Sequence, residues 1–411
     1  MRKNRILAFL MAAVIAFNGA YLSPVKVYET ITVEAAEYGT EYLTGVNLDL
    51  YNELKSIVSD IAAGNVSSTS VTINLEYTYS ELGVNTYEEA VRYISSTLTP
   101  TSVMSYLIYD CPYEMYWMDK TQDMPMDVGS SRTRDGITVR VVLKLPVSTD
   151  YQGESEYTVD TEKTALAGTA IANAQSIVDK YADELDLDKI AAYKDEICAL
   201  VTYEEDYEDA DYGDIWQLIW VFDGDDSTNV VCEGYSKAFQ YLCDISEFEA
   251  DVECYTVTGY TSNGVTIGSH MWNLIRIDGT TYMVDVTNSE TDSLGETGDL
   301  FMVSDEDAIS YNSYGYVVSA SGYRITYTYD TVTLGLYSAS VLTLGATMLG
   351  DVNSDGSIDY LDAMTVLRYD AELIELGDDE LEAGDVNNDG EVNSLDAILI
   401  LRYDAGLITS F

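Results

Sequence analysis

The sequence predicts an α+β fold that ends in a small all-α module, and three observations carry that expectation. Strand-like alternation and helix-like periodicity are mixed along residues 45–315. Within that stretch Asp278-Gly279 joins two apolar strand patterns, the strongest short hairpin signal. From Gly350 onward the chain repeats itself at a 34-residue offset, GDVNSDGSIDYLDAMTVLRYDAELI followed by GDVNNDGEVNSLDAILILRYDAGLI.

Length and charge bound what such a fold can do. At 411 residues the chain exceeds one ordinary domain, and 71 acidic against 20 basic residues leave a net charge of −51. No basic surface survives that background, which excludes a nucleic-acid binder. A hydrophobic content of 47%, with 35 Tyr, is enough to bury substantial cores, so wholesale disorder is excluded as well. The chain has one histidine, so His270 is the only candidate for imidazole chemistry.

The first 36 residues read as a signal peptide and leader. Arg2, Lys3 and Arg5 precede an apolar run from Ile6 to Phe17, with cleavage expected after Ala20 or within Val33–Ala36. An uncleaved anchor is the alternative, although the run is short of the ~20 residues that span a bilayer. No Cys follows the run, which excludes a lipoprotein, and no later segment looks transmembrane. The five cysteines, Cys111, Cys198, Cys232, Cys243 and Cys254, are an odd number for an exported chain. At least one therefore stays free or pairs with another chain; alternatively all five are reduced and buried.

Residues 45–150 form an α+β accessory region, with a helix from Tyr87 to Leu98 and an alternating strand from Ile137 to Leu143. A helical pattern follows from Asp160 to about Thr202, interrupted near Asp186 to Asp188. It runs into the loop Tyr203–Asp214, whose seven carboxylates mark a solvated surface or, alternatively, an extra cation site. A Tyr-, Ser- and Thr-rich, β-prone stretch from 316 to 348 is a linker or a sheet extension.

The chemistry sits between Ile215 and Tyr311. In Val230-Val231-Cys232-Glu233-Gly234-Tyr235-Ser236-Lys237-Ala238-Phe239, a Cys stands just before a helix whose buried face carries Tyr235, Phe239 and Leu242. The positive end of a helix favours thiolate over thiol, so Cys232 is a candidate nucleophile. His270 lies in the strand pattern Ser269–Ile277, and the return strand runs from Thr280 to Val286. A two-residue turn at Asp278-Gly279 sets Ile277 against Thr280, which places Asp285 opposite Trp272. His270 and Asp285 are then diagonal neighbours on one sheet face, ~7–8 Å apart at the backbone and within reach of their side chains. That is the base and orienter of a nucleophile-base-orienter set; a satisfied core histidine is the alternative.

Together VCEGYSKAF, HMWNLIRIDG and YMVDVTNS resemble the transglutaminase-like fold, a papain-like cysteine-enzyme superfamily, over about residues 160–315. Tyr109–Trp117 resembles the region preceding this core in exported bacterial members. The resemblance implies that Cys232 attacks a carbonyl, His270 shuttles the proton and Asp285 orients it, with no cofactor. It also implies an oxyanion stabiliser from the Cys232 backbone N–H and an upstream side chain, for which Trp216, Gln217 and Tyr203 match no firm pattern. Cys243 and Cys254 are structural or form a disulfide.

The repeats of the tail carry the oxygen-ligand spacing of a twelve-residue calcium loop. The first offers Asp351, Asn353, Asp355, Ser357, Asp359 and Asp362, with Gly356 at the sharp turn. The second offers Asp385, Asn387, Asp389, Glu391, Asn393 and Asp396, with Gly390. The closing residue is Asp, and each loop runs into a helix, Leu361–Asp370 or Leu395–Asp404. Two loop-helix units closed by Asp resemble the type I dockerin module over residues 349–411. The resemblance implies two calcium ions needed for folding and a helix face that docks a cohesin domain of a scaffolding or cell-surface protein. The partner-reading positions it implies are Tyr360, Leu361, Leu367 and Arg368 in one copy and Ser394, Leu395, Leu401 and Arg402 in the other. A calcium-stabilised cap without a partner is the alternative.

The expected function is an exported cysteine acyl-transfer enzyme of peptidase or amidase type, with a thioester on Cys232 and a protein or peptide substrate. It would be held on a cellulosome-like, cell-surface scaffold for polysaccharide degradation. A protein cross-linking transglutaminase and a non-catalytic adaptor are the alternatives. Carboxylate pairs carry no glycosidase signal in a chain this acidic.

Overall fold

The computed structural model describes residues 38–411 except 165–166, 208–209, 226, 290–292, 296–297, 346–348, 354–357, 372, 388–389 and 409–411. The expected signal peptide and leader lie outside the described residues, as do Asp355, Gly356, Ser357 and Asp389 of the calcium loops.

Alternation of apolar residues builds a first, three-stranded antiparallel sheet in the order β1-β3-β2, from β1 (Ser70–Thr78), β2 (Met126–Arg132) and β3 (Gly136–Lys144). In β3, Ile137, Val139, Val141 and Leu143 point to one side and are buried. The helices Val46–Ala62, Tyr87–Thr97 and Pro100–Asp110 accompany this sheet. The Tyr87 helix starts on Thr86, whose hydroxyl accepts from the Glu89 N–H.

The helical pattern after residue 160 resolves into Thr161–Thr164, Ala167–Lys180 and Asp186–Leu200. The interruption falls one step earlier than the sequence indicates, at 181–185. Asp186 and Asp188 sit in the first turn of the next helix, where the positive helix end favours them. A two-stranded parallel ladder of β4 (Thr202–Tyr203) and β5 (Asn229–Val230) then leads into the helix Cys232–Asp244. That helix is buried all round, Glu233 through Cys243, and not only along the Tyr235–Phe239–Leu242 face. A helix apolar on one face reads as half-exposed from sequence; here Ser236, Lys237 and Gln240 are buried because partners satisfy them.

The helix packs on a seven-stranded antiparallel sheet ordered β10-β11-β12-β6-β7-β8-β9. Its strands are β6 (Val252–Ser262), β7 (Ile267–Ile277), β8 (Thr280–Val284), β9 (Phe301–Val303), β10 (Ser310–Asn312), β11 (Gly315–Ala320) and β12 (Tyr323–Tyr329). Residues 315–329 thus extend this sheet, with β12 pairing β6. Asp278 and Gly279 both take positive φ, 48° and 83°, the two-residue turn whose twist matches its flanking strands.

One hydrophobic cluster runs from Leu43 to Leu344, and a separate small one fills the tail. The tail cluster is built from equivalent positions of the two copies: Val352 with Val386, Ala363 with Ala397, and Val366 with Ile400. Its helices are Tyr360–Asp370, Asp378–Gly384 and Ser394–Asp404. No helix among the described residues is long and apolar enough to cross a membrane.

Candidate functional site

Three elements bring the predicted trio together. Cys232 is the first residue of its helix, so its backbone N–H belongs to the turn whose N–H groups lack intrahelical partners. Side chains lock the helix to the sheet. Ser236 Oγ donates to the Met271 carbonyl at 2.9 Å, and Asn273 Nδ2 donates to the Ser236 carbonyl at 3.1 Å. Met271 and Asn273 flank Trp272 on β7, so the helix start is held at a fixed distance from His270. Cys232 lies close enough to the imidazole to act on its ionisation.

The hairpin register delivers the second contact. Ile277 pairs with Thr280 and Asn273 with Val284, the alignment the sequence predicts. His270 Nε2 donates to Asp285 Oδ2 at 2.8 Å. The ladder with β8 ends at Val284, so Asp285 leaves the strand, and its N–H donates to the Leu300 carbonyl instead. With Nε2 committed to the carboxylate, Nδ1 is the ring nitrogen left for the thiol.

Asp285 is fully buried and its oxygens are occupied by donors that the sequence did not indicate. Tyr327 of β12 donates its hydroxyl to Oδ2 at 2.6 Å; Asn288 donates Nδ2 to Oδ2 at 2.8 Å and its N–H to Oδ1 at 3.1 Å. Burial is the strongest single influence on this carboxyl and pushes its pKa up. The imidazole charge and these hydrogen bonds together outweigh it and hold the carboxyl below its ordinary range. His270 responds in the opposite sense. Burial would lower its pKa, but Asp285 and then Cys232 raise it to about 10, so the imidazole is cationic at neutral pH. Its ring stacks on buried Trp272 at 5.8 Å, and Tyr327 and Tyr329 pack on that indole, which keeps the pair dry from below.

A charged network under the helix start also escaped the sequence reading. Glu233 accepts from Lys120 at 2.6 Å, from Lys237 at 2.7 Å and from the Tyr212 hydroxyl at 2.7 Å. Burial opposes ionisation of Glu233, yet the two ammonium groups pull its pKa down to about 2. One carboxylate cannot neutralise two lysines. Burial therefore dominates at Lys237, whose pKa falls to about 8, whereas Lys120 is raised. Gln217 is tied into this network at both ends of its amide, donating to Tyr212 and accepting from Lys237, each at 2.8 Å. Tyr203 lies within electrostatic reach of Cys232; burial first and that sulfur second raise its hydroxyl, which stays a neutral donor. The expected solvated loop Tyr203–Asp214 is therefore not uniformly exposed, since Tyr212 is buried against Glu233.

None of the five cysteines forms a disulfide, and Cys243 and Cys254 interact with each other. Cys198, half-buried like Cys232, donates its thiol to the Val286 carbonyl at 3.6 Å.

In the tail, the closing residue of each loop organises the backbone that precedes it. Asp362 Oδ1 accepts from Val352 and Asn353 N–H and Oδ2 from Asp359 N–H; Asp396 does the same for Asn387 and Asn393. Asp359 and Asn393 cap the following helices in reciprocal capping boxes. Asp351, Asp362 and Asp396 are buried, and Asn387 Oδ1 is buried with no hydrogen-bond partner. Among the described residues no three His, Cys, Asp or Glu stand close enough to hold a metal. Still, buried carboxylates and an orphaned amide oxygen at loop position 3 are a donor set that fits a hard cation. Tyr360, Leu361, Leu367, Arg368, Ser394, Leu395, Leu401 and Arg402 are all exposed, as are Met364 and Ile398.

Residues 349–403 match the type I dockerin domain. Type I dockerin domains bind calcium, and the module indicates cellulosome-type anchoring. No curated protein matches the chain. Among solved structures it is similar to a TGase at 15% identity and a TM-score of 0.26, over 41% of this chain and 46% of that one. It is also similar to a candidate cysteine protease from Cytophaga hutchinsonii at 11% identity and a TM-score of 0.23, over 40% of this chain and 65% of that one. The matched stretch thus spans less than two thirds of either chain.

Proposed function

We propose that this is an exported, transglutaminase-like cysteine acyl-transfer enzyme of peptidase or amidase type, carried on a cellulosome-like scaffold by its dockerin. The observation that supports the chemistry is the 2.8 Å bond from His270 to the buried Asp285 carboxylate, which also accepts from Tyr327 and Asn288, with Cys232 near enough to act on the imidazole. A sulfur at a helix start with an imidazole beside it has the arrangement of a nucleophile and its proton carrier.

In this reading Cys232 Sγ attacks the carbonyl carbon of an amide. The C–N bond breaks as the leaving amine takes the imidazole proton. Neutral His270 then removes a proton from water, which attacks the thioester and returns the sulfur its electron pair. Asp285 holds the ring orientation through both steps and stabilises its cationic form. The Cys232 N–H, at the start of its helix, is the donor available for the oxyanion, whereas both ends of the Gln217 amide are committed elsewhere.

Residues 45–150 serve as an accessory region and 155–315 as the catalytic core, and within 316–348 the strands up to Tyr329 extend its sheet. The dockerin at 349–411 is the attachment. Asp351, Asn353, Asp359 and Asp362, with Asp385, Asn387, Glu391, Asn393 and Asp396, would hold two calcium ions together with Asp355, Ser357 and Asp389. Bound calcium would neutralise the loops and fix their turns. One exposed helix face would then dock a cohesin domain.

A thiol-reactive peptide probe tests the enzyme. Labelling is expected in wild type, lost in Cys232→Ala and slowed in His270→Ala. Equal labelling in all three would remove the proposal.

A further inference from the structure

The charged network at the start of the Cys232 helix joins that helix to the accessory region. Glu233, the residue after Cys232, is buried in the first turn, and its carboxylate oxygens are divided between two lysines. Oε1 accepts from Lys237 of the same helix at 2.7 Å, and Oε2 from Lys120 of the accessory region at 2.6 Å. Lys237 is buried, whereas the Lys120 side chain keeps 27% of its surface exposed.

Lys120 arrives on a segment that is tied down on two sides. The Asp119 N–H donates to the Pro146 carbonyl and the Ser148 N–H to the Trp117 carbonyl, which fastens residues 117–119 to the chain leaving β3. Earlier in the segment the Tyr109 carbonyl accepts from Gln240 Nε2 of the Cys232 helix at 3.1 Å. The ammonium also lies 5.7 Å from the centre of the Tyr212 ring, whose hydroxyl donates to the same Glu233. Backbone contacts therefore hold Lys120 beside the helix start, and the ion pair is not its only anchor.

The charges of the network do not balance. Burial works against the Lys120 ammonium, but Glu233, then Tyr109 and Cys232, raise its pKa above the ordinary lysine value. Burial lowers Lys237 only to about 8, so it is mostly protonated at neutral pH, and Glu233, at about 2, is ionised. Two ammonium groups against one carboxylate leave one positive charge at the helix start, in a chain whose net charge is −51. Without Lys120 the Glu233–Lys237 pair would be neutral. Lys120 thus carries the surplus, and its electrostatic reach extends to Cys232.

We propose that Lys120 of the accessory region completes the Cys232 site, as the positive charge that steadies the anion formed during acylation. The inference rests on the acyl-transfer reading. As the C–Sγ bond forms, the π pair of the carbonyl moves to its oxygen. That oxygen is two bonds from the sulfur, so a charge that acts on Sγ acts on it too. A buried carboxylate in the next residue would by itself oppose the anion; the surplus ammonium reverses the sign. The oxygen pair then re-forms the carbonyl, and the leaving group departs with the electrons of its bond. The accessory region is in this way part of the enzyme, because it supplies a charge that the core lacks.

The test measures the p-nitrophenol burst of the full-length chain with p-nitrophenyl acetate, with Cys232→Ala as the blank. Lys120→Gln can still donate to Glu233 but carries no charge, and it should slow the burst about tenfold or more. Lys120→Arg keeps the charge and should stay within roughly threefold of wild type. A purely structural tether predicts that the two variants behave alike. A Lys120→Gln burst as fast as wild type, or a Lys120→Arg burst as slow as that of Lys120→Gln, would overturn the charge role and leave the enzyme standing. No burst in wild type would overturn both.

Discussion

The candidate catalytic site and the dockerin repeats are assembled in opposite ways. Each candidate calcium loop offers its donors from twelve consecutive residues of sequence, and its closing Asp is hydrogen-bonded to the backbone around it. The candidate catalytic trio draws one residue from a helix start, one from a strand and one from just beyond the next strand. It depends on Tyr327, from a strand beyond the sequence segments that mark the site. A local site depends on its ligand to stay folded, whereas a dispersed site depends on the core around it.

The strongest way to break that contrast is to remove calcium. Chelation with EGTA should unfold the tail, whose own cluster is six buried residues, while the 43–344 cluster keeps its melting temperature. Hydrogen exchange followed segment by segment reads both; a protected tail in EGTA, or a core that melts with it, would remove the distinction.

The next largest effect should come from the buried carboxylate. Asp285→Asn keeps the size but loses the charge that holds His270 protonated and oriented, and the burst with p-nitrophenyl acetate should slow by about 10³-fold or more. Tyr327→Phe is milder, because Asn288 and His270 still donate to Asp285. Losing one bond to a charged group costs about 1.5–3 kcal/mol, which predicts a slowing of roughly ten- to a hundredfold with the fold intact. A Tyr327→Phe enzyme as fast as wild type would show that the site is as local as the calcium loops.

The smallest effect is a pH signature in stability. His270 has its folded-state pKa raised to about 10 from 6.5. Its contribution is therefore fully present below pH 6.5 and lost as pH rises through about 10. The melting-temperature gap between wild type and His270→Gln should be widest near pH 6 and close above pH 10. A gap that widens with pH would reverse the assignment.

What could be read in advance follows the same division. The repeat, its ligand spacing and its helix starts are local, and they lie in the sequence as printed. The His270–Asp285 contact was legible for a similar reason, because an Asp-Gly turn fixes register and register fixes which side chains share a face. Tyr327 was not legible, since nothing in a Tyr-rich stretch says that β12 pairs with β6. Nor was the Lys120–Glu233–Lys237 network, whose members come from distant segments and read singly as surface charges. The Cys232 helix misled by one face for the same reason: partners that bury its polar side are supplied by other elements.

The central claim, that Cys232 is a nucleophile activated by His270 and Asp285, is tested most directly by iodoacetamide alkylation at pH 7, read by peptide mass spectrometry. Cys198 is the internal control, a half-buried thiol that donates to the Val286 carbonyl. The account predicts that Cys232 reacts at least about tenfold faster than Cys198 and that His270→Ala removes the difference. Equal rates for the two cysteines in the wild-type protein would contradict it.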